Sequence, residues 1–258
     1  MQGCKPTVAS KKKPKHPVRS LAFSLSFFSA PSMQKEAVIF WSRQNAEHMA
    51  LVRLFVTAAT HSVYPSSPTV DEPLPEEVEN VLEDATRLQR GWEAVHDTQD
   101  ARGIPVLLQL TPLLYQHASK VLDGLTLELP SHRPDPVVTL AAALVAHMAQ
   151  EWMEFQQEIA INHVVPEAEL QKNFLAWHQR DVAVADTLVP GVLPHLGEMN
   201  AAGLFPKSLV DAFRESLYDS VDARKLDAMS FEQLIHAALV AHEQRENDYA
   251  GHGADYSD

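Results

Sequence analysis

The chain has 258 residues, of which 45% are hydrophobic, and its formal net charge is −13. This length allows one large domain or two smaller ones, with enough apolar residues for a sizeable core. Residues 1–32 hold six basic and no acidic residues, so residues 33–258 carry 15 basic and 34 acidic ones. An acidic body lacks the basic surface that sequence-independent nucleic-acid binding needs. The one cysteine excludes an intrachain disulfide framework and a cysteine-based zinc site.

The first 32 residues are predicted to be a disordered basic extension or a targeting peptide. They contain the basic and then apolar stretch KKKPKHPVRSLAFSLSFFSA. A transit peptide, a secretory signal and a nuclear-type basic patch are all open readings. The apolar run is too short to span a bilayer. We expect a soluble, cytoplasmic protein that does not bind membranes, unless the extension directs it to an organelle, the nucleus or secretion.

From Met33 onward the sequence favours helices, because apolar residues recur at helical spacing and glycine is scarce. Proline-rich segments at 64–75 and 130–136 predict loops, and 190–206 looks loop-like with at most a short helix inside. Ser230 and Gln233 form a capping-box pattern at the start of the last helix. No strand pattern is longer than a few residues, so the predicted fold class is all-α. Helices are predicted over 33–61, 76–97, 106–125, 137–160, 166–189, 207–221 and 230–250.

The hexapeptide AALVAH occurs twice, at 142–147 and at 237–242. Each copy leads into a histidine with a glutamate four residues later, His147 with Glu151 and His242 with Glu246. We interpret this as a tandem duplication of helical-bundle repeats, with repeat 1 at 33–162, repeat 2 at 163–251 and a frayed tail at 252–258. The small alanines predict that helices 134–160 and 229–250 pack side by side about a pseudo-twofold axis.

The two His–Glu pairs are candidate metal ligands. Residues four apart lie on one helix face, so an imidazole nitrogen and a carboxylate oxygen can bind one cation there. Metal sites in helical bundles are built from such inward side chains on facing helices. A mixture of nitrogen and oxygen ligands suits iron, manganese or zinc, as one or two ions. The alternative is that each histidine is paired with its own glutamate and holds helices together.

Three short motifs, IFWSRQNAEHMALVRLF, HMAQEWMEF and HEQRENDY, resemble a bacterial family catalogued as domain of unknown function 2935. The resemblance covers roughly residues 34–250 and implies an all-helical, tandemly repeated, metalloprotein-like bundle with ferritin-like or bromodomain-like up-and-down packing. In that family each repeat opens with Phe-Trp and then acid-His, and closes with His-x-x-x-Glu and an aromatic. The first repeat matches this pattern, and the matching positions are Phe40, Trp41, Glu47, His48, His147, Glu151 and Phe155.

The second repeat keeps the closing motif but departs from the opening one. Alignment on Phe174 places Asp181 at the acid and Val182 at the histidine, while His178 lies one turn earlier on the same face. His178 either substitutes as a ligand or belongs to a degraded half-site. The resemblance therefore implies that Glu47 and Asp181 orient ligand side chains without contacting the metal themselves. It also implies a set of six metal ligands: His48, His147, Glu151, His178, His242 and Glu246.

Two hypotheses about function follow. The first is a metal-binding helical bundle, ferritin-like or hemerythrin-like, that holds non-haem iron, manganese or zinc and acts on dioxygen or peroxide. The second is a non-catalytic helical scaffold or interaction protein with structural His–Glu pairs. Whether the protein is an enzyme, what small molecule it would act on and whether it forms a homodimer are left open. The chain has no glycine-rich phosphate loop, no nucleophile elbow and no catalytic cysteine in its body.

Overall fold

A computed structural model of the chain describes residues 35–64, 74–129, 134–160 and 187–252. The chain divides into Met1–Ser32 and Met33–Asp258, and every described residue belongs to the second unit. The described residues contain helices, turns and loops but no strand, which confirms the all-α prediction. The helices are α1 (Lys35–Val63), α2 (Glu76–Thr98), α3 (Ile104–Glu128, preceded by a 3-10 turn at Ala101–Gly103), α4 (Pro136–Ala160), α5 (described over 187–201), α6 (Lys207–Glu215), α7 (Ala223–Ala228) and α8 (Phe231–His252).

Helix α1 is the central element of the described fold. Helices α2, α3, α4, α6 and α8 all pack against it. Its apolar residues point in several directions and are still buried, as Met49, Val52, Leu54 and Phe55 show. A helix that is buried all round must lie inside the bundle, because a surface helix buries only one stripe. Polar side chains on α1 are consequently placed in the core as well.

Polar side chains fix where two of the surrounding helices begin. Oδ1 of Asp135 accepts hydrogen bonds from the backbone N–H groups of Val137 and Val138 at 2.8 and 3.1 Å, at the start of α4. At the start of α8 the predicted capping box is present. The Gln233 N–H donates to Ser230 Oγ at 3.3 Å, and the Ser230 N–H donates to Gln233 Oε1 at 3.0 Å. Such caps satisfy N–H groups that have no partner inside the helix.

The prediction for residues 190–206 was wrong in its first half, because 187–201 is helical. Pro190 and Pro194 suggested a loop, since proline removes a helical hydrogen bond. However, Val189, Val192 and Leu196 are buried at helical spacing, and this burial outweighs the proline cost. The helix predicted over 207–221 is also shorter than expected, since it ends at Glu215 and a separate short helix, α7, follows.

The two AALVAH copies do not occupy equivalent environments. Val145 in the first copy is 1% exposed, whereas the matching Val240 is 51% exposed. Among the described residues, α4 and α8 pack against α1 more than against each other, and extensive side-by-side packing between them is not seen. The repeat boundaries near 162 lie outside the described residues, and the duplication stays a prediction.

The unequal burial of this valine pair gives a test of the packing. Val145→Ala should lower the free energy of unfolding by about 1–3 kcal/mol, because it removes two buried methyl groups and leaves a cavity. Val240→Ala makes the same chemical change on an exposed surface and should alter stability by no more than about 0.5 kcal/mol. Urea unfolding of both variants provides the comparison. Equal losses in the two variants would contradict the arrangement described here.

Candidate metal centre

Four ionisable side chains from three helices converge at one buried point. His48 comes from α1, Glu151 from α4, and His242 and Glu246 from α8. One ligand atom from each lies within 4.8 Å of every other, and all four residues are buried. We call these four residues the metal cluster. A histidine and a glutamate four apart reach the same point from α8, as their shared helix face predicts.

The contacts inside the cluster run between helices as well as along them. His48 Nε2 lies 3.1 Å from His242 Nε2 and 2.9 Å from Glu151 Oε2. His242 Nε2 also lies 2.9 Å from Glu246 Oε1. Neighbouring ligand atoms of an octahedral ion with bonds of about 2.1 Å are separated by about 3.0 Å. The distances in the cluster therefore match those between ligands of a single ion.

The outer nitrogens of both histidines have partners of their own. His242 Nδ1 donates a hydrogen bond to Glu47 Oε2 over 2.8 Å. His48 Nδ1 lies 3.4 Å from the hydroxyl of Tyr115. Imidazoles that bind metals are usually held in this way, with one nitrogen fixed by a carboxylate, hydroxyl or carbonyl and the other facing the ion. Each histidine of the cluster consequently turns Nε2 toward the centre.

The charge on Glu47 decides the protonation of His242. Burial alone would raise the pKa of Glu47, but the hydrogen bond and charge of His242, together with those of Arg245, lower it to about 2. Glu47 is therefore an ionised acceptor, and the proton of this hydrogen bond belongs to His242 Nδ1. If His242 were neutral, the lone pair on its Nε2 would face a carboxylate oxygen of Glu246. That arrangement is repulsive unless a cation lies there.

A proton or a metal ion can supply this cation. Burial alone would lower the pKa of His242, but the carboxylates of Glu246 and Glu47 raise it to about 10. In the absence of metal the imidazole therefore holds a second proton at neutral pH. A metal ion would replace that proton, since only the neutral ring binds a metal.

Glu151 is the acceptor group that most needs a further partner. Burial works against its ionisation, but the positive charges that His147 and His48 can carry hold its pKa well below the ordinary value. Its two oxygens lie 2.9 Å from His48 Nε2 and 3.0 Å from His147 Nε2. These are hydrogen-bond distances, yet neither oxygen receives a well-aligned hydrogen bond from a described residue. A cation at the centre of the cluster would provide a partner for Oε2, the oxygen that faces His48.

The donor set fits a divalent transition metal. Two carboxylates and two neutral imidazoles carry a charge of −2, which a divalent ion neutralises in a site that excludes water. Glu47 does not add to this charge, because Arg245 and Arg43 both form ion pairs with it. The cluster could therefore hold a divalent ion without leaving a buried charge uncompensated.

Five of the six predicted ligands come together, although not in equivalent roles. His48, Glu151, His242 and Glu246 form the cluster, and His147 contacts the outer oxygen of Glu151 instead of the centre. Glu47 holds the outer nitrogen of His242, as the resemblance implied for a residue behind a ligand. The remaining two candidates, His178 and Asp181, lie outside the described residues.

Three contributing residues were not found by sequence reasoning. Gln44 donates a hydrogen bond from Nε2 to Glu246 Oε1 over 2.6 Å, Tyr115 contacts His48, and Arg245 pairs with Glu47. A signal for Gln44 was present, since it lies one turn before His48 on the same helix face. Nothing in the sequence connects Tyr115 to the site, because its proximity depends on how α3 packs against α1.

Aromatic side chains line the apolar side of the site region. The rings of Trp41 and Phe155 are 5.0 Å apart, and those of Trp152 and Phe155 are 5.2 Å apart. Residues Trp41, Trp152 and Phe155 are buried. They join the opening Phe-Trp motif of α1 to the closing motif of α4. This packing holds the two helices that carry His48 and Glu151 in register.

A cavity of about 300 Å³ lies against the outer side of the cluster. Glu47 and His242 form part of its wall, and Glu93, Asp97 and Asp219 line it farther out. Five acidic residues and one arginine line the cavity, and this excess of negative charge would attract cations by electrostatic focusing. The cavity is thus a route by which an ion could approach His242.

Comparisons of the chain with protein-family models, with curated proteins and with solved structures found no match. The resemblance to the family of unknown function therefore stays an expectation drawn from short motifs. No helix in the described part of the chain is long and apolar enough to cross a membrane.

The opposite pKa shifts of Glu47 and His242 predict how the stability of the metal-free protein depends on pH. The Glu47 contribution is present above about pH 4.5 and is lost as the pH falls toward 2. The His242 contribution is present below about pH 6.5 and is lost as the pH rises toward 10. Chelator-treated protein should therefore lose stability on both sides of the window from about pH 4.5 to 6.5.

The matched variant for this prediction is Glu47→Gln, which keeps the shape of the side chain and removes its charge. Urea unfolding at several pH values gives the free energy of unfolding of the unaltered protein and of the variant. The difference between these two free energies should be largest inside that window and should become smaller toward acid and toward alkaline pH. A difference that is constant with pH would show that Glu47 and His242 are not coupled.

Proposed function

We propose that the protein is a metal-binding helical bundle that holds one divalent transition metal ion between α1, α4 and α8. The proposed ligands are His48, Glu151, His242 and Glu246. The observation that carries the proposal is the position of His242 Nε2, which lies 3.1 Å from His48 Nε2 and 2.9 Å from Glu246 Oε1. Its Nδ1 donates a hydrogen bond to Glu47, so in the neutral ring the lone pair on Nε2 faces Glu246, and a metal ion at this point would remove that repulsion.

The donor set supports iron, manganese or zinc as the bound ion. Two imidazoles and two carboxylates are intermediate between the all-oxygen sites of magnesium and calcium and the sulfur-rich sites of copper and zinc. With iron or manganese bound, the site would have the electron-transfer chemistry needed to act on dioxygen or peroxide. The carboxylates of Glu151 and Glu246 would then stabilise the higher charge state, and Glu47 would keep the imidazole of His242 oriented.

A structural role for the same residues is the competing function. It is favoured by one observation, that the pKa of His242 is raised to about 10, so that a proton can take the place of the metal. In that case His48, His242 and the glutamates would be a buried ion-pair network in a scaffold or interaction protein. Buried networks of this kind are costly to form but destabilising to break. Metal content and chelator sensitivity separate the two functions.

Removal of metal should lower the melting temperature of the purified full-length chain. A ligand that binds only the folded state stabilises it by about 2.7 kcal/mol at a hundredfold excess over its dissociation constant. For a domain of this size that corresponds to a shift of roughly 5–10 °C. Differential scanning calorimetry with and without a strong chelator, followed by return of Fe²⁺, Mn²⁺ or Zn²⁺, should show loss and recovery. A melting temperature indifferent to chelator, in protein that elemental analysis shows to be metal-free, would leave the scaffold function.

Three histidine substitutions should weaken metal binding to different extents, and the loss of affinity should be larger the closer the histidine lies to the proposed ion. His48→Ala removes a ligand and should weaken metal binding by more than about 100-fold. His147→Ala removes only a partner of Glu151 and should weaken it by about 10- to 100-fold, as is usual for groups behind a ligand. His236→Ala is the matched control on α8, because His236 is exposed and outside the cluster.

Metal affinity of the three variants can be measured by competition with a chromogenic chelator, with far-UV circular dichroism to confirm helix content. An equal effect of His48→Ala and His236→Ala would count against the proposed ligands. A stronger effect of His147→Ala than of His48→Ala would move the ion to the outer side of Glu151.

A further inference from the structure

A second cavity, of about 440 Å³, lies between α1, α2 and α6 and shares no lining residue with the metal cluster. Its size is within the range of small-molecule sites in proteins. Most of its wall is apolar, and four leucines contribute to it: Leu74, Leu82, Leu204 and Leu209. The α1 wall also contains a charged group, the guanidinium of Arg53. An apolar cavity with one fixed charge is suited to a ligand with an apolar body and one charged end.

Arg53 is a buried cation without an anionic partner. The residue is 8% exposed, and its Nη1 donates to Gln89 Oε1 over 2.7 Å. Its Nη2 reaches Ser208 Oγ only at 3.4 Å. Both partners are neutral, and no carboxylate in the described part of the chain forms an ion pair with Arg53. Burying a guanidinium in this way is costly, and a carboxylate bound in two-point contact is the partner that its geometry matches.

The hydrogen-bond partner of Arg53, Gln89, is itself held in place, and Arg53 lines the cavity beside it. Gln89 cannot rotate away, because its Nε2 donates to Glu93 Oε1 over 2.8 Å while its Oε1 accepts from Arg53. Burial lowers the pKa of Arg53, Glu93 raises it by a smaller amount, and Arg90 has the smallest effect and lowers it. The nearest acid therefore only partly compensates the charge.

The other charged groups of the cavity leave Arg53 as the main attraction for an anion. Glu83 and Arg87 line the cavity but are exposed to solvent, where their opposite charges are screened. Arg87 is also paired with Asp84. An anion that enters would pass this rim and reach the buried guanidinium of Arg53, with the buried His61 also in the cavity wall.

We propose that this cavity binds an apolar monocarboxylate, with its carboxylate paired to Arg53 and its hydrocarbon body against the leucines. A chain of roughly six to ten carbon atoms would fit a cavity of this volume. Binding would replace two neutral contacts of the guanidinium with a charge-assisted pair and would remove apolar surface from water.

The test is isothermal titration calorimetry of the full-length chain with octanoate, with hexanoate and decanoate to probe length. The protein is first treated with chelator, so that a carboxylate bound to metal at the other site does not contribute. We expect one site per chain and at least tenfold weaker binding of octan-1-ol, which has the same body without the charge. Octylamine should not bind measurably, because its charge has the wrong sign.

Three variants assign the site. Arg53→Met should weaken octanoate binding at least tenfold and change the affinity for octan-1-ol by no more than threefold. Arg53→Lys keeps the charge and should lose less octanoate affinity than Arg53→Met. Leu82→Trp fills the cavity and should weaken both ligands. Arg224→Met is the matched control, since Arg224 is exposed and outside the cavity. Should Arg53→Met fail to fold, the comparison of octanoate with octan-1-ol on the unaltered protein still decides.

Three results would overturn the proposal. They are no binding of any of the three carboxylates, equal affinity for octanoate and octan-1-ol, or unchanged octanoate affinity in folded Arg53→Met. The first result would leave an apolar cavity that binds no such acid, and the other two would show that Arg53 does not recognise the carboxylate.

Discussion

The described fold depends on a positive charge at the point where α1, α4 and α8 meet. Two buried carboxylates, Glu151 and Glu246, lie there with the Nε2 atoms of His48 and His242. With His242 neutral, its one proton is on Nδ1 and bonds to Glu47, so the lone pair on Nε2 faces Glu246 Oε1 at 2.9 Å in a region with little water to separate them. Either protons or a metal ion must occupy that region, and both choices hold the same three helices together. The site is consequently part of the stability of the fold and cannot be considered apart from it.

The central position of α1 follows from the same requirement. Its polar residues are buried by the surrounding helices, so each needs a partner inside the protein. Ser42 and Asn45 bond to carbonyl groups of their own helix, Gln44 donates to Glu246, and His48 faces the cluster. Because α1 makes both apolar core contacts and polar contacts with the surrounding helices, those helices must be placed so that both kinds of contact are satisfied. It also keeps the cluster away from Arg53, which lies farther along α1 and faces a different cavity.

Much of this arrangement could be predicted from the sequence, because periodic apolar residues mark α1 to α4 and α8, and the two His-x-x-x-Glu pairs mark polar positions inside them. What could not be predicted depends on tertiary packing. Pro190 and Pro194 indicated a loop, but buried neighbours made the segment helical. Tyr115 reaches His48 only because α3 packs on α1. The identical AALVAH copies gave no hint that Val145 is buried while Val240 is exposed, since burial belongs to the surroundings and not to the peptide.

The same difference in surroundings gives the two His–Glu pairs different roles, which bears on how many ions the described geometry supports. On α8 both His242 and Glu246 reach the centre, whereas on α4 only Glu151 does. The imidazole of His147 lies on the far side of that carboxylate, 3.0 Å from Oε1. A second ion placed there would have two donors, His147 Nε2 and Glu151 Oε1, and no further His, Cys, Asp or Glu of the described chain completes such a group. Two donors do not make a transition-metal site. The described residues could therefore hold one ion, with His147 beside the outer oxygen of Glu151, and equal sequence motifs place two residues of the cluster on one helix and one on the other.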